Sequence, residues 1–186
     1  EKLFADKGFN GTSIAMISKA SSLSDGLILY HFKSKENLYK LVIERISAHY
    51  LEVVTGPLEK ETSIEEAMKT SLIGAFNFWK NDKTCQRLNL WAYLENKEDK
   101  SANEARLVEK LAAYFKSLQG KGIFSADIHP VVFLTMIIGS IQFWFRYKKH
   151  FLKILNLKQT GDEFDNMFLN QFALMLQSII YNKTEK

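Results

Sequence analysis

Apolar side chains recur every three or four residues along most of this chain, which is the spacing of one face of an α-helix. The longest early pattern follows Ser34 and continues to about Val54, where Gly56 and Pro57 are expected to end the helix. Later helical patterns cover residues 63–80, 84–96, 102–119, 128–150 and 162–182. Alternating strand patterns are hard to find, so the chain is predicted to be all-α.

Three shorter helical patterns precede the long one. The first is already under way at residue 1, so we expect it to be truncated, and Gly8 is its expected C-cap. Thr12 or Ser13 can cap the second pattern, which reaches about residue 20. Ser24 can cap the third, which reaches about residue 30. The sequence therefore predicts three short helices in its first third.

A tight turn separates the second and third of these helices, and two short helices joined in this way are the layout of a helix-turn-helix. The second helix of such a unit enters the major groove of DNA, which favours a small residue in its leading turn, and Gly26 stands there. Leu23, Ile28 and Phe32 fall where they can anchor this helix in the core. The positions left for the outer face are Ser24, Asp25, Leu27, Leu29, Tyr30 and His31.

Net charge does not by itself identify a nucleic-acid binder here. The whole chain has 25 Lys and Arg against 21 Asp and Glu, a formal charge of +4. Residues 1–55 hold seven basic and six acidic side chains. Any binding of DNA must therefore depend on where particular groups are placed.

Several groups near the third helix suit phosphate oxygens. Tyr30 and His31 offer short, stiff hydrogen-bond donors, and Lys35 adds a mobile charge in the first turn of the next helix. The backbone amides around Thr12 and Ser13 lie at a helix N-terminus, where they can bind a phosphate without a basic side chain. These groups explain how a nearly neutral module can bind DNA.

Residues 4–42, FADKGFNGTSIAMISKASSLSDGLILYHFKSKENLYKLV, resemble the DNA-binding domain of the tetracycline-repressor (TetR) family. The resemblance is ungapped and covers about the first 45 residues, whereas the rest of the chain resembles the family in length, helix number and two apolar final helices. The matching positions are Leu3, Phe4, Gly8, Phe9, Thr12, Ser13, Ile17, Ala20, Ser24, Gly26, Ile28, His31, Phe32, Ser34, Lys35, Glu36 and Leu38.

This resemblance implies a transcriptional regulator, most often a repressor, that binds a palindromic operator in double-stranded DNA as a homodimer. Residues 1–45 would form the helix-turn-helix domain, and residues 46–186 a helical domain that binds an effector and dimerises through the last two helices. A small-molecule effector, largely apolar, would displace residues 34–54 and so release the operator.

Three positions depart from the family pattern. Ser22 stands where the family has a turn glycine, which is tolerable if the residue avoids a positive φ or bears its modest cost. Leu29 replaces a tyrosine and could touch a thymine methyl group. Asp25 stands where the family often has a lysine. It could cap its helix, which is the role we favour, or its carboxylate could accept a hydrogen bond from a cytosine amine.

The middle helices are rich in aromatic residues, which by default form the core. The alternative is a partly apolar effector cavity, and the residues predicted to line it are Phe76, Trp79, Asn89, Trp91, Gln142 and Phe143. A different function would also fit such a cavity, namely a helical carrier or scavenger of an apolar small molecule that has no regulatory DNA binding.

Other classes of function are disfavoured. No nucleophile paired with a base, no paired catalytic carboxylates and no glycine-rich phosphate loop are evident, so we expect neither an enzyme nor a cofactor. The four histidines are too scattered for a helix-borne zinc site. The single cysteine, Cys85, cannot form an internal disulfide, and the chain shows no apolar leader, which suits a reducing cytoplasm.

One apolar stretch near the end raises the question of a membrane. Residues 130–145 contain no charged side chain, but a helix that crosses a bilayer needs about 20 apolar residues. We therefore expect this helix to be buried on two sides and, with the equally apolar last helix, to form a dimer seam by four-helix packing.

Overall fold

The computed structural model describes residues 1–60, 63–97, 101–158 and 160–181. Within these ranges the chain forms nine α-helices and no strand, so the all-α prediction is confirmed. The helices are α1 (Lys2–Lys7), α2 (Ile14–Ser21), α3 (Asp25–Phe32), α4 (Lys35–Lys60), α5 (Ile64–Asn81), α6 (Lys83–Leu94), α7 (Ala102–Gly120), α8 (Pro130–Ile154) and α9 (Gly161–Tyr181).

Local capping explains where the first three helices begin and end. Gly8 follows α1 with φ at 71°, a left-handed value that glycine adopts without steric cost. Ser13 caps α2 by accepting from the Met16 amide at 3.2 Å, and Ser24 caps α3 by accepting from the Leu27 amide at 3.2 Å. The cap of α2 is thus Ser13 and not Thr12.

Helix α4 is longer than expected, because Gly56 and Pro57 do not end it. Proline inside a helix removes an amide donor and crowds the carbonyl of the preceding turn. Within the structure the Ser71 hydroxyl of α5 donates to the Val54 carbonyl at 2.6 Å, which supplies a donor on this turn. Helix α4 thus continues through Gly56 and Pro57 to Lys60.

The chain divides into two compact units by its internal contacts. Unit 1 comprises Glu1–Leu51 and Asn81–Ala105, and unit 2 comprises Glu52–Lys80 and Arg106–Lys186. Residues 81–105, which include α6, thus belong with the N-terminal helices. The predicted functional boundary at residue 45 stays a prediction.

Aromatic side chains form the centre of unit 1. The Tyr39 ring meets the rings of Phe4 and Phe9 edge-on, with centroids 5.1 and 5.3 Å apart. Its hydroxyl is buried and has no hydrogen-bond partner among the described residues. Burial, with a smaller contribution from the charges of Glu95 and Glu104, raises the pKa of Tyr39 to about 12.

Replacing Tyr39 with phenylalanine is expected to raise the free energy of unfolding by about 1 kcal/mol, because a buried hydroxyl without a partner carries a desolvation cost. Urea denaturation followed by circular dichroism measures this. Tyr93→Phe, at an exposed tyrosine, is the matched control and should change stability by less than about 0.5 kcal/mol. A clear loss of stability in Tyr39→Phe would show that the hydroxyl is satisfied.

Helix α6 is fastened to α1 and to the turn after it, all within unit 1. The Arg87 guanidinium and the Trp91 indole both donate to the Ala5 carbonyl, at 2.7 and 3.1 Å. The Glu95 carboxylate accepts from the amides of Phe9 and Asn10 at 2.8 and 2.9 Å. These bonds satisfy backbone groups in the last turn of α1 and in the turn that follows it.

A buried charge cluster joins three helices of unit 2. Asp165 on α9 is 1% exposed and accepts from the Trp144 indole of α8 at 2.8 Å. The Lys148 ammonium lies 2.7 Å from both of its carboxylate oxygens, and the Lys80 ammonium of α5 lies 3.3 Å from one of them. The carboxylate is therefore fully surrounded by donors, as burial of a charge requires.

Among the described residues of one chain, helix α8 is buried on one face, and burial of its other face in a dimer stays a prediction. Its buried residues are Phe133, Leu134, Ile141 and Trp144. The opposite face exposes large apolar side chains, including Val132, Met136 and Phe143. The helix is long and apolar enough to cross a membrane by length and composition, but it carries Lys148, which is paired with the buried Asp165. One face of α8 thus packs inside unit 2, and the described residues do not cover the other.

Candidate nucleic-acid interface

The turn between α2 and α3 is held by a left-handed residue and a side-chain hydrogen bond. Ser22 has φ at 59° and ψ at 23°, so it bears the cost that a glycine at this position would avoid. The Ser18 hydroxyl donates to the Leu23 carbonyl at 2.6 Å. These two features set the direction in which α3 leaves the turn.

Helix α3 is anchored mainly through one side chain. Ile28 is 2% exposed, and Phe32 is half-buried, as the sequence predicted. Leu23, expected in the core, is 45% exposed, so that prediction was wrong. Leu23 precedes the N-cap and lies in the turn, where the spacing of the helix does not apply. The anchoring face of α3 is therefore narrower than expected, and its outer face is wider.

The outward side chains of α3 form the exposed surface that the sequence predicted. Tyr30 is 70% exposed, and Leu27, Leu29 and His31 are also exposed. The Tyr30 and His31 rings stand edge-on with centroids 5.3 Å apart. Large apolar and aromatic groups on one short exposed helix are costly to hydrate, which favours a partner for this surface.

Gly26 lies in the first turn of this exposed helix. A Cβ atom built on it would have no heavy atom of the described residues within 4 Å. The folded chain therefore does not itself require glycine here. A requirement for a small residue would come from a molecule that approaches α3 from outside.

The two polar residues at the start of α3 have separate local roles. Ser24 supplies the cap, so its hydroxyl already accepts from the Leu27 amide. Asp25 is exposed in the first turn, where a carboxylate interacts favourably with the helix dipole. This position fits the capping role that we favoured, and the contact of Asp25 with a base stays a prediction.

The groups expected near the start of α2 differ in their availability. The Thr12 hydroxyl is buried and donates towards the carbonyls of Leu3 and Gly8, at 3.1 and 2.7 Å. Ser13 is exposed, and it begins a helix of eight residues whose first amides point outwards along the helix axis. Thr12 can thus contribute a backbone group only, whereas Ser13 lies at an open helix N-terminus.

Lys35 is not the mobile charge that the sequence suggested. Its ammonium lies 2.9 Å from the Phe9 carbonyl and 2.9 Å from the Thr12 carbonyl. It also lies 4.1 Å from the centroid of the Phe9 ring. The side chain is therefore fixed against the turn between α1 and α2, and a contact with DNA at this position stays a prediction.

Changing Tyr30 to alanine is expected to weaken operator binding by about 1–3 kcal/mol, because a rigid donor at the surface of the recognition helix is lost. His31→Ala should have an effect of the same order. Titration of labelled operator with each variant gives the affinity, and circular dichroism checks that the helical fold is retained. A variant with unaltered affinity would remove that residue from the interface.

The six predicted effector residues are divided between the two units. Asn89 and Trp91 belong to unit 1, where Trp91 holds α1, while the other four belong to unit 2. Phe76 is buried against the rings of Phe145 and Phe168, at 4.8 and 5.8 Å, as a core residue would be. In the same unit Trp79 is buried, Gln142 is half-buried and Phe143 is exposed, and their role in effector binding stays a prediction.

A groove of about 380 Å³ lies in unit 2 between α5 and α9, and none of the six predicted side chains lines it. Its walls are mainly apolar, with polar groups at Glu65, Lys69, Asn170 and Gln177. The Gln177 amide donates to the Glu65 carboxylate at 3.1 Å, so this part of the rim is ordered. Its apolar lining consists of Met68, Leu72, Ile73, Leu169, Ala173, Leu174 and Leu176.

Sequence reasoning missed the side chains that hold α1 in place, Arg87, Trp91 and Glu95. Their partners lie 82 to 86 residues earlier in the chain. A pattern confined to one helix carries no sign of such contacts. Glu95 follows the last turn of α6 and reads, from the sequence alone, as an ordinary solvated carboxylate.

Comparison with known sequences and structures agrees with this geometry. Residues 1–42, which contain α1 to α3 and the start of α4, match the family described as "Bacterial regulatory proteins, tetR family". The HTH-type transcriptional repressor NicS of Pseudomonas putida is 23% identical over 157 residues, which cover 81% of this chain and 74% of that protein.

Solved structures share the fold over nearly the whole chain. The regulator FadR of Bacillus subtilis, solved with stearoyl-CoA, gives a TM-score of 0.69 at 15% identity and covers 91% of both chains. AibR, solved with isovaleryl coenzyme A and operator DNA, gives 0.68 at 15% identity and covers 94% of this chain and 91% of its own. Residues 1–42 are thus similar to the tetR family of bacterial regulatory proteins, and the chain shares its fold with solved structures of transcriptional regulators.

Proposed function

We propose that this protein is a ligand-responsive transcriptional repressor that binds a palindromic operator as a homodimer and releases it when a small-molecule effector binds. The observation that carries the proposal is the surface of α3. This helix buries Ile28, exposes Tyr30 and leaves open space over Gly26. A helix of this kind can enter a major groove, which is about 12 Å wide.

DNA binding at low net charge is explained by fixed donors. The N-terminus of α2 at Ser13 and the aromatic donors of α3 suit phosphate oxygens, which position the protein. The exposed Leu27 and Leu29 can contact thymine methyl groups in the groove. The operator would accordingly be read by apolar contacts as well as by hydrogen bonds.

A homodimer would cover the open face of α8. Val132, Met136 and Phe143 lie on one stripe of this helix, and exposed Met167 and Met175 lie on α9. Four-helix packing of these two helices with their copies would bury the stripe, and a two-fold axis would set the recognition helices about 34–36 Å apart. Sedimentation, which gives the molar mass in solution, tests for the homodimer. The chain of 21.5 kDa is expected to sediment with the mass of two chains.

The effector is proposed to be largely apolar and to bind in unit 2. The α5–α9 groove supports this proposal, because its volume and mainly apolar lining are typical of small-molecule sites. Two proteins of the same fold were solved with acyl-CoA esters, which makes isovaleryl-CoA a reasonable first probe. Filling the groove by Ala173→Trp should abolish binding of the effector and leave the operator affinity intact.

We propose that effector binding is coupled to DNA binding through contacts between helices of unit 1. Within unit 1, Glu44 of α4 accepts from the Ala102 amide at 2.9 Å, and the Ser47 and Ser101 hydroxyls lie 2.6 Å apart. Helix α4 is therefore tied to the start of α7, as α1 is to α6. A shift of any of these helices would move the recognition helix and change the half-site spacing.

Selection of operators from random double-stranded DNA tests the regulatory function. The expected product is a palindrome with half-sites about one DNA turn apart, bound with an affinity that falls by about 10³–10⁵ between 50 and 200 mM salt. Reciprocal coupling predicts that operator DNA weakens effector binding by the same factor, typically equivalent to about 1–3 kcal/mol. Equal effector affinities with and without operator would contradict release by the effector.

The selection of operators also distinguishes a transcriptional regulator from the alternative function. A carrier or scavenger of an apolar molecule would bind ligand in unit 2 and select no DNA sequence. The relatives are transcriptional regulators, and we propose that this chain, like them, is not an enzyme and acts on DNA in the cytoplasm.

A further inference from the structure

The ammonium of Lys35 is enclosed by unit 1. Two of its three N–H donors are directed at the carbonyls of Phe9 and Thr12, both at 2.9 Å. The Phe9 ring lies 4.1 Å away and interacts with the charge through its face. A lysine held in this way has little remaining freedom to follow a phosphate.

The segment that Lys35 holds is the turn between α1 and α2. Its other polar groups are also occupied: the Glu95 carboxylate binds the amides of Phe9 and Asn10, and the Thr12 hydroxyl binds the Gly8 carbonyl at 2.7 Å. The next residue is Ser13, which caps α2. Lys35 therefore ties the start of α4 to the segment that leads directly into the N-terminus of α2.

We infer that Lys35 is a positioning residue for operator binding and does not itself contact phosphate. It fixes the turn so that Ser13 and the first amides of α2 face the DNA backbone in the correct register with α3. This inference depends on the proposed DNA-binding function. The role differs from that of a surface lysine, because its charge is used within the protein.

Salt dependence distinguishes the two roles. Each phosphate contact made by a charged side chain contributes about 0.9 to the slope of log affinity against log salt concentration. Lys35→Met should therefore lower operator affinity at least tenfold at every salt concentration and leave the slope unchanged. Lys35→Arg should recover most of the affinity, because a guanidinium can donate to two carbonyls.

Lys33→Met is the charge-matched control. Lys33 is exposed two residues away, and its ammonium lies 5.0 Å from the centroid of the Tyr30 ring. The Lys33→Met substitution removes the same formal charge but leaves the turn between α1 and α2 intact. Its loss of affinity should be smaller than that of Lys35→Met, and all measurements are made at a temperature where circular dichroism shows every variant folded.

A measurement on the unaltered protein keeps the inference testable if Lys35→Met does not fold. The ¹⁵Nζ resonance of Lys35 is expected to be observable in the free protein, because its hydrogen bonds slow exchange with water, and to stay unshifted when operator is added. Three results would each overturn the inference. The first is a shifted resonance with coupling to ³¹P, and the second is a salt slope reduced by about 0.9 in Lys35→Met. The third is an operator affinity of Lys35→Met equal to that of the parent protein. Failure of the parent protein to select any operator would instead overturn the proposed function.

Discussion

Replacing Asp165 with alanine is expected to lower the free energy of unfolding by about 3–5 kcal/mol. The carboxylate is 1% exposed and accepts from Trp144 and Lys148, with Lys80 close by. Removing it takes away the acceptor of the Lys148 ammonium and of the Trp144 indole N–H, whereas Lys80 keeps its pair with Asp162. The cost is that of uncompensated buried donors, in addition to the lost hydrogen bonds.

Urea denaturation at a fixed protein concentration measures this loss, since the stability of a dimer depends on concentration. Asp162→Ala is the matched control. Asp162 also pairs with Lys80, at 2.7 Å, but its side chain is 82% exposed. Because solvent screens such a pair, its loss should cost far less than the loss of Asp165. Similar losses in the two variants would show that burial does not set the strength of the Asp165 cluster.

Replacing Gly26 with alanine is expected to weaken operator binding at least tenfold while leaving the fold as stable as before or slightly more so. Alanine favours a helix over glycine by up to about 1 kcal/mol, and its Cβ would meet no described atom of this chain. The same methyl group would point from the leading turn of α3 towards the wall of the major groove, where the backbone must approach closely.

Stability and operator affinity are both measured for this variant, because the two effects are expected to differ in sign. Gly56→Ala in α4 is the matched control, since a Cβ there also meets no described atom within 4 Å. It should bind operator unchanged, with a smaller gain in helix stability, because a Cβ at the residue before Pro57 is crowded by the proline ring. Undiminished affinity in Gly26→Ala would mean that α3 does not enter the groove by its first turn.

These variants test features that differ in how far the sequence alone reveals them. The caps Ser13 and Ser24 were predictable, because each bonds to an amide three residues later, within the span of a local pattern. The exposed side of α3 was predictable for Tyr30 and His31 but not for Leu23, which lies in the turn before the helix. Local spacing therefore identified the recognition helix but gave its anchoring face incompletely.

The sequence by itself determined the all-α class, the short helices of the N-terminal unit and the polar and aromatic surface of α3. Only the tertiary structure decided that Lys35 binds two carbonyls 26 and 23 residues away, and that Trp91 supports Ala5 across 86 residues. It also decided that α4 continues past Pro57 and that the open groove lies between α5 and α9. The physical reason is that helical periodicity and caps arise from neighbours within one or two turns, whereas these contacts depend on which helices the folded chain brings together.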